Sequence, residues 1–437
     1  MAASRGSRPG TAVLAAALAV LGAVASAPAA GAESGALPEV TPRAETPVLY
    51  DDAEGGDADA DDPAIWRNPA DPDRSLVVAT AKQGGLRVYD LDAKEVQSIP
   101  APPAPGPDDA PGRFNNVDLV HGFGLSSGGA DLAVTSDRGS DKLRFYRVDG
   151  GRSGAPLTDV TADGAPRIFS SSQDEVNEQR TAYGLATWKD KASGRSYALV
   201  SQRERTTLAL LELKAAEGGK VGYEKVRELK LPDTFRLPNG KDWSPCAEPG
   251  EKPQVEGMVV DPESGTLHAG QEDVGIWRLK ADLTGKPVLQ DKVREYGVPG
   301  TYDEGTEECV PGDDPGYGGE HVAADVEGLT LLTEDGEDKG DGYLLASSQG
   351  DDTFAAYDRE ESDGHEYEGG FRVAAASGEL DGSEECDGAA VLNEPLGKRY
   401  PHGLLVVQDG HATPEDGERA ATGFKFVDLG DVLKALD

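Results

Sequence analysis

Six stretches of the chain repeat one pattern, an apolar run, a short polar turn and a second run. They begin at Leu76, Asp131, Tyr197, Thr266, Tyr343 and Leu404. The first reads LVVATAKQGGLRVYDL and the fourth TLHAGQEDVGIWRL. Strand pairs recurring at irregular spacings of roughly 55 to 75 residues predict an all-β fold, a six-bladed β-propeller with about four strands per blade. The turn inside each pair holds a charged or amide residue: Lys82, Arg138, Arg203, Glu272, Gln349 and Asp409. In a propeller these equivalent turns converge on one end of the central channel, where function is to be sought.

The chain has 437 residues, with 80 Asp and Glu against 42 Lys and Arg, a formal net charge of -38. Nucleic acid and anionic membranes bind basic faces, so this balance argues against both as partners. It suits multivalent cations, since carboxylates are the oxygen ligands calcium prefers. It equally suits a well-solvated exported protein. Arg5 and Arg8, the apolar stretch from Thr11 to Val24 and the small residues Ala30-Gly31-Ala32 read as a secretory signal over residues 1–32. Residues 33–48, rich in Pro, Ala and Glu, read as a flexible leader, and 49–437 as one propeller domain. The mature protein is expected to be secreted, extracellular and monomeric. Convincing long helices are absent, and Leu429 to Leu436 is the one short candidate. Residues 101–113, 232–255 and 297–324 read as surface loops.

Of the three cysteines, Cys246 and Cys309 lie in the long acidic insertions, and a disulfide between them is expected. Cys386 is then left over. No zinc spacing is present, nor a Gly-x-Ser-x-Gly elbow, a Walker loop or a His-Glu-x-x-His pair. Any hydrolysis of a phosphate ester would use a metal and water.

Three acidic constellations stand out. Asp57, Asp59, Asp61 and Asp62 crowd together before Pro63 and the Ile65-Trp66 pair; at that density they repel unless a cation intervenes. Val255-Glu256-Gly257-Met258 and Val326-Glu327-Gly328-Leu329 are near-copies. Asp325 stands two residues before Glu327, and in a regular strand both side chains reach one ion. Glu272-Asp273, Asp381, Glu384-Glu385, Asp387 and Asp409 form a third set at loop positions, within which spacing makes no choice. Against these stand Lys82, Arg138 and Arg203, a basic arc suited to a polyanion that brings its own cations.

Together with Asp-Asp-Pro-Ala-Ile-Trp at 61–66, Asn-Asn-Val-Asp at 115–118, Glu-Gly-Met at 256–258, Asp-x-Glu-Gly-Leu at 325–329, the run at 342–350 and Gln-Asp-Gly at 408–410, the chain resembles the β-propeller phytases, secreted calcium-dependent bacterial enzymes. The resemblance implies a six-bladed propeller that cleaves calcium phytate (myo-inositol hexakisphosphate) through attack by a metal-bridged water. It implies several calcium ions, with Asp61, Glu256, Glu272, Asp325 and Glu327 at the active site and Asp62 and Asp381 at stabilising sites. Asp409 is taken with the metal ligands. Tyr183 matches a tyrosine of the site, and Asp387 a further active-site carboxylate. Lys82, Arg138 and Arg203 match phosphate-binding positions, with Glu204 beside the last. Catalytic roles are thus expected for Lys82, Arg138, Tyr183, Glu272 and Asp387. Arg203 departs from the lysine common in the family, Gln83 from a second lysine and Gln271 from a glutamate. Two readings from other classes stay open: a calcium-dependent propeller lactonase or sugar-acid hydrolase, and a non-catalytic calcium-binding module.

Overall fold

A computed structural model describes residues 36–50, 58–126, 128–152, 154–333, 341–359, 364–376, 380–413 and 421–437. The signal segment at 1–32 and Asp57 lie outside the described residues. Strands dominate and form a six-bladed β-propeller. Blade 1 runs from an inner strand Pro63–Trp66 through Leu76–Thr80 and Leu86–Tyr89 to an outer Glu95–Ile99. Blades 2, 3, 4 and 5 repeat this antiparallel order, with inner strands Phe114–Leu125, Ala182–Lys189, Val255–Val260 and Val326–Thr333. Each repeated stretch of the sequence is the second and third strand of a blade.

The apolar runs follow from the packing. A blade's middle strands have a neighbouring blade on both faces, so they read as continuous hydrophobic runs rather than alternating ones. Val77, Val78 and Ala79 are all fully buried. The core lies between the blades. Ala64, Trp66 and Val78 of blade 1 meet Phe114, Ala133 and Tyr146 of blade 2, and Val77 and Tyr89 meet Val406, Phe424 and Phe426 of blade 6.

Blade 6 comes from both ends of the chain. Its strands Ala389–Leu392, Leu404–Asp409 and Ala421–Asp428 take Ala44–Glu45 as the fourth. Leu49–Tyr50 pairs with the same Ala421–Asp428 strand, and Glu39–Val40 adds in parallel to the outer strand of blade 5. The segment read as a flexible leader is therefore corrected: residues 39–50 close the ring. Their backbone groups find partners there that a solvated leader would lack, and joining the two chain ends in one sheet ties the circle. Helix Leu429–Leu436 is present as expected, capped by Asp428, which accepts from Gly430 N at 3.0 Å. Among the described residues no helix is long and apolar enough to cross a membrane.

The loop 232–255 carries a small hairpin, Phe235–Arg236 with Asp242–Trp243, and the loop 297–324 another, Gly300–Asp303 with Glu308–Pro311. The expected disulfide Cys246–Cys309 joins the two loops, and Cys386 is free and buried.

Candidate active site

All six inner strands begin at the same end of the channel, and each delivers polar side chains there. Asp61 and Asp62 precede the inner strand of blade 1, and Asn115 and Asn116 open that of blade 2. Tyr183, Glu256 and Glu327 open blades 3, 4 and 5, and Asp387 precedes that of blade 6. In blades 2 to 5 the pairing of inner and second strand slips at this spot, between Phe114 and Val117, Ala182 and Leu185, Val255 and Met258, and Val326 and Leu329. A bulge of this kind re-aims a side chain. The glycines after Glu256 and Glu327 have their own cause: a Cβ on Gly257 would lie 1.8 Å from the Glu327 carbonyl oxygen, and one on Gly328 2.6 Å from Ala389 N. Neighbouring inner strands approach too closely for any side chain, which accounts for the repeated Glu-Gly.

Glu256 is the hub. Its Oε1 accepts from Asn115 Nδ2 at 2.5 Å, and its Oε2 accepts from the Tyr183 hydroxyl. Glu256, Glu272 and Glu327 are all buried, and each brings a carboxylate oxygen within 4.8 Å of the others. Glu272 Oε2 accepts from Gln254 Nε2 at 2.9 Å. Glu272 Oε1, Glu327 Oε2 and Asp61 Oδ2 are buried without a hydrogen-bond partner. Burial, and then repulsion from Asp325, Glu256 and Asp273, pushes Glu272 well above the usual carboxylate range. Burial followed by Glu256 and Glu272 does the same to Glu327. Burial raises Asp325 to about 7, with Asp273 and Glu256 adding to it, and raises Asp387 to about 6 against the opposing charge of Lys82. Orphaned, mutually repelling buried oxygens fit a hard divalent cation, which satisfies the lone pairs and cancels the repulsion.

Beside the acids stand the cations. Lys82 Nζ lies 3.0 Å from Asp59 and 3.1 Å from Asp387. Burial opposes its charge, yet Asp387, Asp61 and Asp59 hold its pKa well above normal. Arg138 donates to Asn115 Oδ1 at 3.1 Å and lies over the Tyr183 ring at 5.4 Å. Burial, then the charges of Arg203 and Arg113, lowers it to about 10. Burial and the surrounding glutamates raise the Tyr183 phenol, keeping its proton on.

The structure brings together Asp61, Lys82, Arg138, Tyr183, Glu256, Glu272, Asp325, Glu327 and Asp387. Arg203 pairs with Glu204, whose amide donates to Gln254 Oε1 at 2.7 Å, so this pair joins the cluster through Gln254 and Glu272. Asp62 turns inward to accept from Val117 N at 2.9 Å. Two further expected ligands, Asp409 and the stabilising-site residue Asp381, stand outside this cluster. Asp409 contacts the buried Lys425 ammonium at 3.0 Å, a positive charge supplied by the chain itself, and Asp381 accepts from Thr413 Oγ1 at 2.6 Å. Gln271 is structural: its Oε1 accepts from Trp277 Nε1 at 2.9 Å. Sequence reasoning gave no role to Asn115, Gln254 or Arg113. Amides carry no charge pattern, though the Asn-Asn pair at 115–116 was visible as a motif.

Compared with known proteins, the phytase family matches over residues 10–236 and 250–437. The chain belongs to the phytase family. It is also 31% identical, over 91% of its length and 85% of the relative, to the 3-phytase of Bacillus subtilis (strain 168). This phytase-family chain is thus an enzyme, a phosphoric monoester hydrolase. The break in the family match, 237–249, contains Cys246, so part of the disulfide-bonded loop is an addition. Among solved structures, Chaetomium thermophilum Sqt1, bound to the N-terminus of ribosomal protein L10, is 13% identical and covers 89% of this chain and all of its own, with a TM-score of 0.41. BBS1N in complex with ARL6DN is 8% identical, covering 81% and 74%, with a TM-score of 0.36.

Proposed function

We propose that this phytase hydrolyses phytate to lower inositol phosphates and orthophosphate with calcium as its cofactor. The observation that carries the reading is the cluster of Glu256, Glu272 and Glu327, with orphaned buried oxygens on two of them, set beside Lys82 and Arg138. These three glutamates, with Asp61 and Asp325 around them, would hold calcium. When bound, the ion supplies Lewis acidity toward phosphoryl oxygens and water. Everything else falls to the chain. The Arg138 fork and the Lys82 ammonium orient the phosphate to be cleaved and stabilise charge growing on its equatorial oxygens. Asp59 and Asp387 hold Lys82 in place and protonated. Tyr183 keeps its proton and fixes Glu256 through its hydroxyl. Arg203 would take a neighbouring phosphate after exchanging its contact with Glu204. Neither nucleophilic serine nor cysteine is called for, and the buried thiol of Cys386 is pushed up to about 12, away from reactivity.

The charge of -38 makes calcium between protein and substrate a requirement for approach, since both are anionic. The same charge speaks against nucleic acid and membrane partners. The signal reading at 1–32 and the disulfide support export. The test is product analysis: incubation with phytate should yield orthophosphate and a ladder of lower inositol phosphates, while a lactone panel should go unhydrolysed. Lactone hydrolysis without phosphate release would replace this reading.

A further inference from the structure

The chain has 4 tryptophans, and Trp66, Trp243 and Trp277 are buried with their indole nitrogens satisfied. Trp66 Nε1 donates to Asp131 at 2.8 Å, Trp243 Nε1 to the Val298 carbonyl at 2.7 Å and Trp277 Nε1 to Gln271. Trp188 differs. It is half-buried, and among the described residues its indole nitrogen has no partner. Trp66 ends the inner strand of blade 1, and the next blade covers it: a Cβ on Gly150 would lie 2.5 Å from its ring. Trp188 stands near the same end of the inner strand of blade 3, and blade 4 leaves it open. A Cβ on Gly265, in the first turn of blade 4, would lie 3.9 Å from its ring.

The space left is an open cleft of about 570 Å³ between blades 3 and 4, within the range of roughly 300–1,000 Å³ typical of small-molecule sites. Tyr197, the cross-strand partner of Trp188, stacks on it with ring centroids 5.2 Å and planes 27° apart. Leu210 and the exposed Val226 extend this apolar floor. Arg227, Lys280, Asp190 and Asp282 ring it, so the cleft is formally neutral in a chain of charge -38. Among the described residues neither Lys280 nor Arg227 pairs with a carboxylate; Arg227 Nη1 donates instead to the Asp282 carbonyl at 2.5 Å. Asp282 Oδ1 accepts from Thr284 N at 2.9 Å and Thr284 Oγ1 at 2.6 Å, which leaves its Oδ2 unused.

An aromatic floor ringed by unused donors and acceptors, with no net charge, matches a neutral pyranose. The C–H face of such a ring lies on aromatic surfaces while its hydroxyls, each both donor and acceptor, meet the rim. We propose that the Trp188–Tyr197 cleft binds a sugar unit of a neutral polysaccharide. Trp188 is five residues from Tyr183 on one strand, about 16 Å away along it. A polysaccharide held there anchors the enzyme and leaves the channel mouth open to its substrate.

The experiment is affinity electrophoresis of wild type, W188A and V226E through gels containing soluble starch, hydroxyethyl cellulose, arabinoxylan or the acidic polygalacturonate. At least one of the three neutral polysaccharides should retard wild type. The dissociation constant should rise about tenfold or more in W188A and in V226E, which sets a charge on the floor from an exposed position. Phytate turnover should match wild type in both variants. Acrylamide quenching adds a readout in the unaltered chain: Trp188 is the accessible indole, so the retarding polysaccharide should shield it. No retardation of wild type, retardation by polygalacturonate alone, or equal retardation of wild type and the variants would overturn the proposal. If W188A does not fold, V226E and the quenching of wild type decide.

Discussion

The hydroxyl of Tyr183, on the inner strand of blade 3, donates to Oε2 of Glu256 on the inner strand of blade 4. The bond locks the central carboxylate from one side while Asn115 holds its other oxygen from blade 2. Three blades thus converge on one side chain. Y183F deletes only the hydroxyl and should lower kcat/KM on phytate by about ten- to hundredfold, with a melting temperature close to wild type. E256Q keeps the shape and removes the charge, and should lose most turnover while its near-ultraviolet circular dichroism stays unchanged. Near-normal turnover in E256Q would show that the hub has been misplaced.

Lys82 and Arg203 should differ in kind. Lys82 touches two carboxylates and, on the proposed reading, orients the phosphate to be cleaved, so K82A should reduce kcat by about a hundredfold or more. Arg203 is paired with Glu204 and stands further round the arc, so R203A should act chiefly on KM. Steady-state kinetics on phytate separate the two, and equal effects on kcat would contradict the division.

The repeats were legible because a blade's middle strands are buried on both faces and must be apolar throughout. Closure of the ring was not. Glu39–Val40 and Ala44–Glu45 are two residues each, too short for any periodicity, and the pairing that orders them lies over 300 residues away. At the site, Glu256 and Glu327 announced themselves as copies. The strand-alternation argument that placed Asp325 on the same ion as Glu327 assumed a regular strand. The bulge between Val326 and Leu329 interrupts that alternation; Glu272, on a different turn, completes the close trio, and the charge of Asp325 acts on both Glu272 and Glu327. Asp409 looked like a ligand by charge alone. Only the fold sets Lys425 against it.

Lys425 is 2% exposed and lies 2.8 Å from Glu45 and 3.0 Å from Asp409. It fastens the N-terminal strand that completes blade 6. K425M would leave two carboxylates facing each other without a cation, so the protein should lose about 3–5 kcal/mol of stability. The additional changes E45Q and D409N should restore much of it. Chemical denaturation of the three proteins checks this, and an unchanged K425M midpoint would contradict it.

His268 predicts acid sensitivity with a definite sign. Burial, followed by the charge of His365, lowers its pKa from 6.5 to about 3. The unfolded chain therefore binds a proton below 6.5 that the folded chain refuses. This contribution is complete above pH 6.5 and is lost as pH falls toward 3, at a limiting slope of about 1.4 kcal/mol per unit. Between pH 7.5 and pH 5, the melting temperature of wild type should fall more steeply than that of H268Q. Parallel curves would assign the acid sensitivity to other groups.

The central claim is that buried, mutually repelling carboxylates at the channel mouth work only around calcium. Orthophosphate release from phytate should therefore be followed as the enzyme is stripped by a chelator and then titrated with calcium. Release should vanish on stripping and return with added calcium in wild type, but not in E256Q. Undiminished release from thoroughly stripped enzyme would contradict the account.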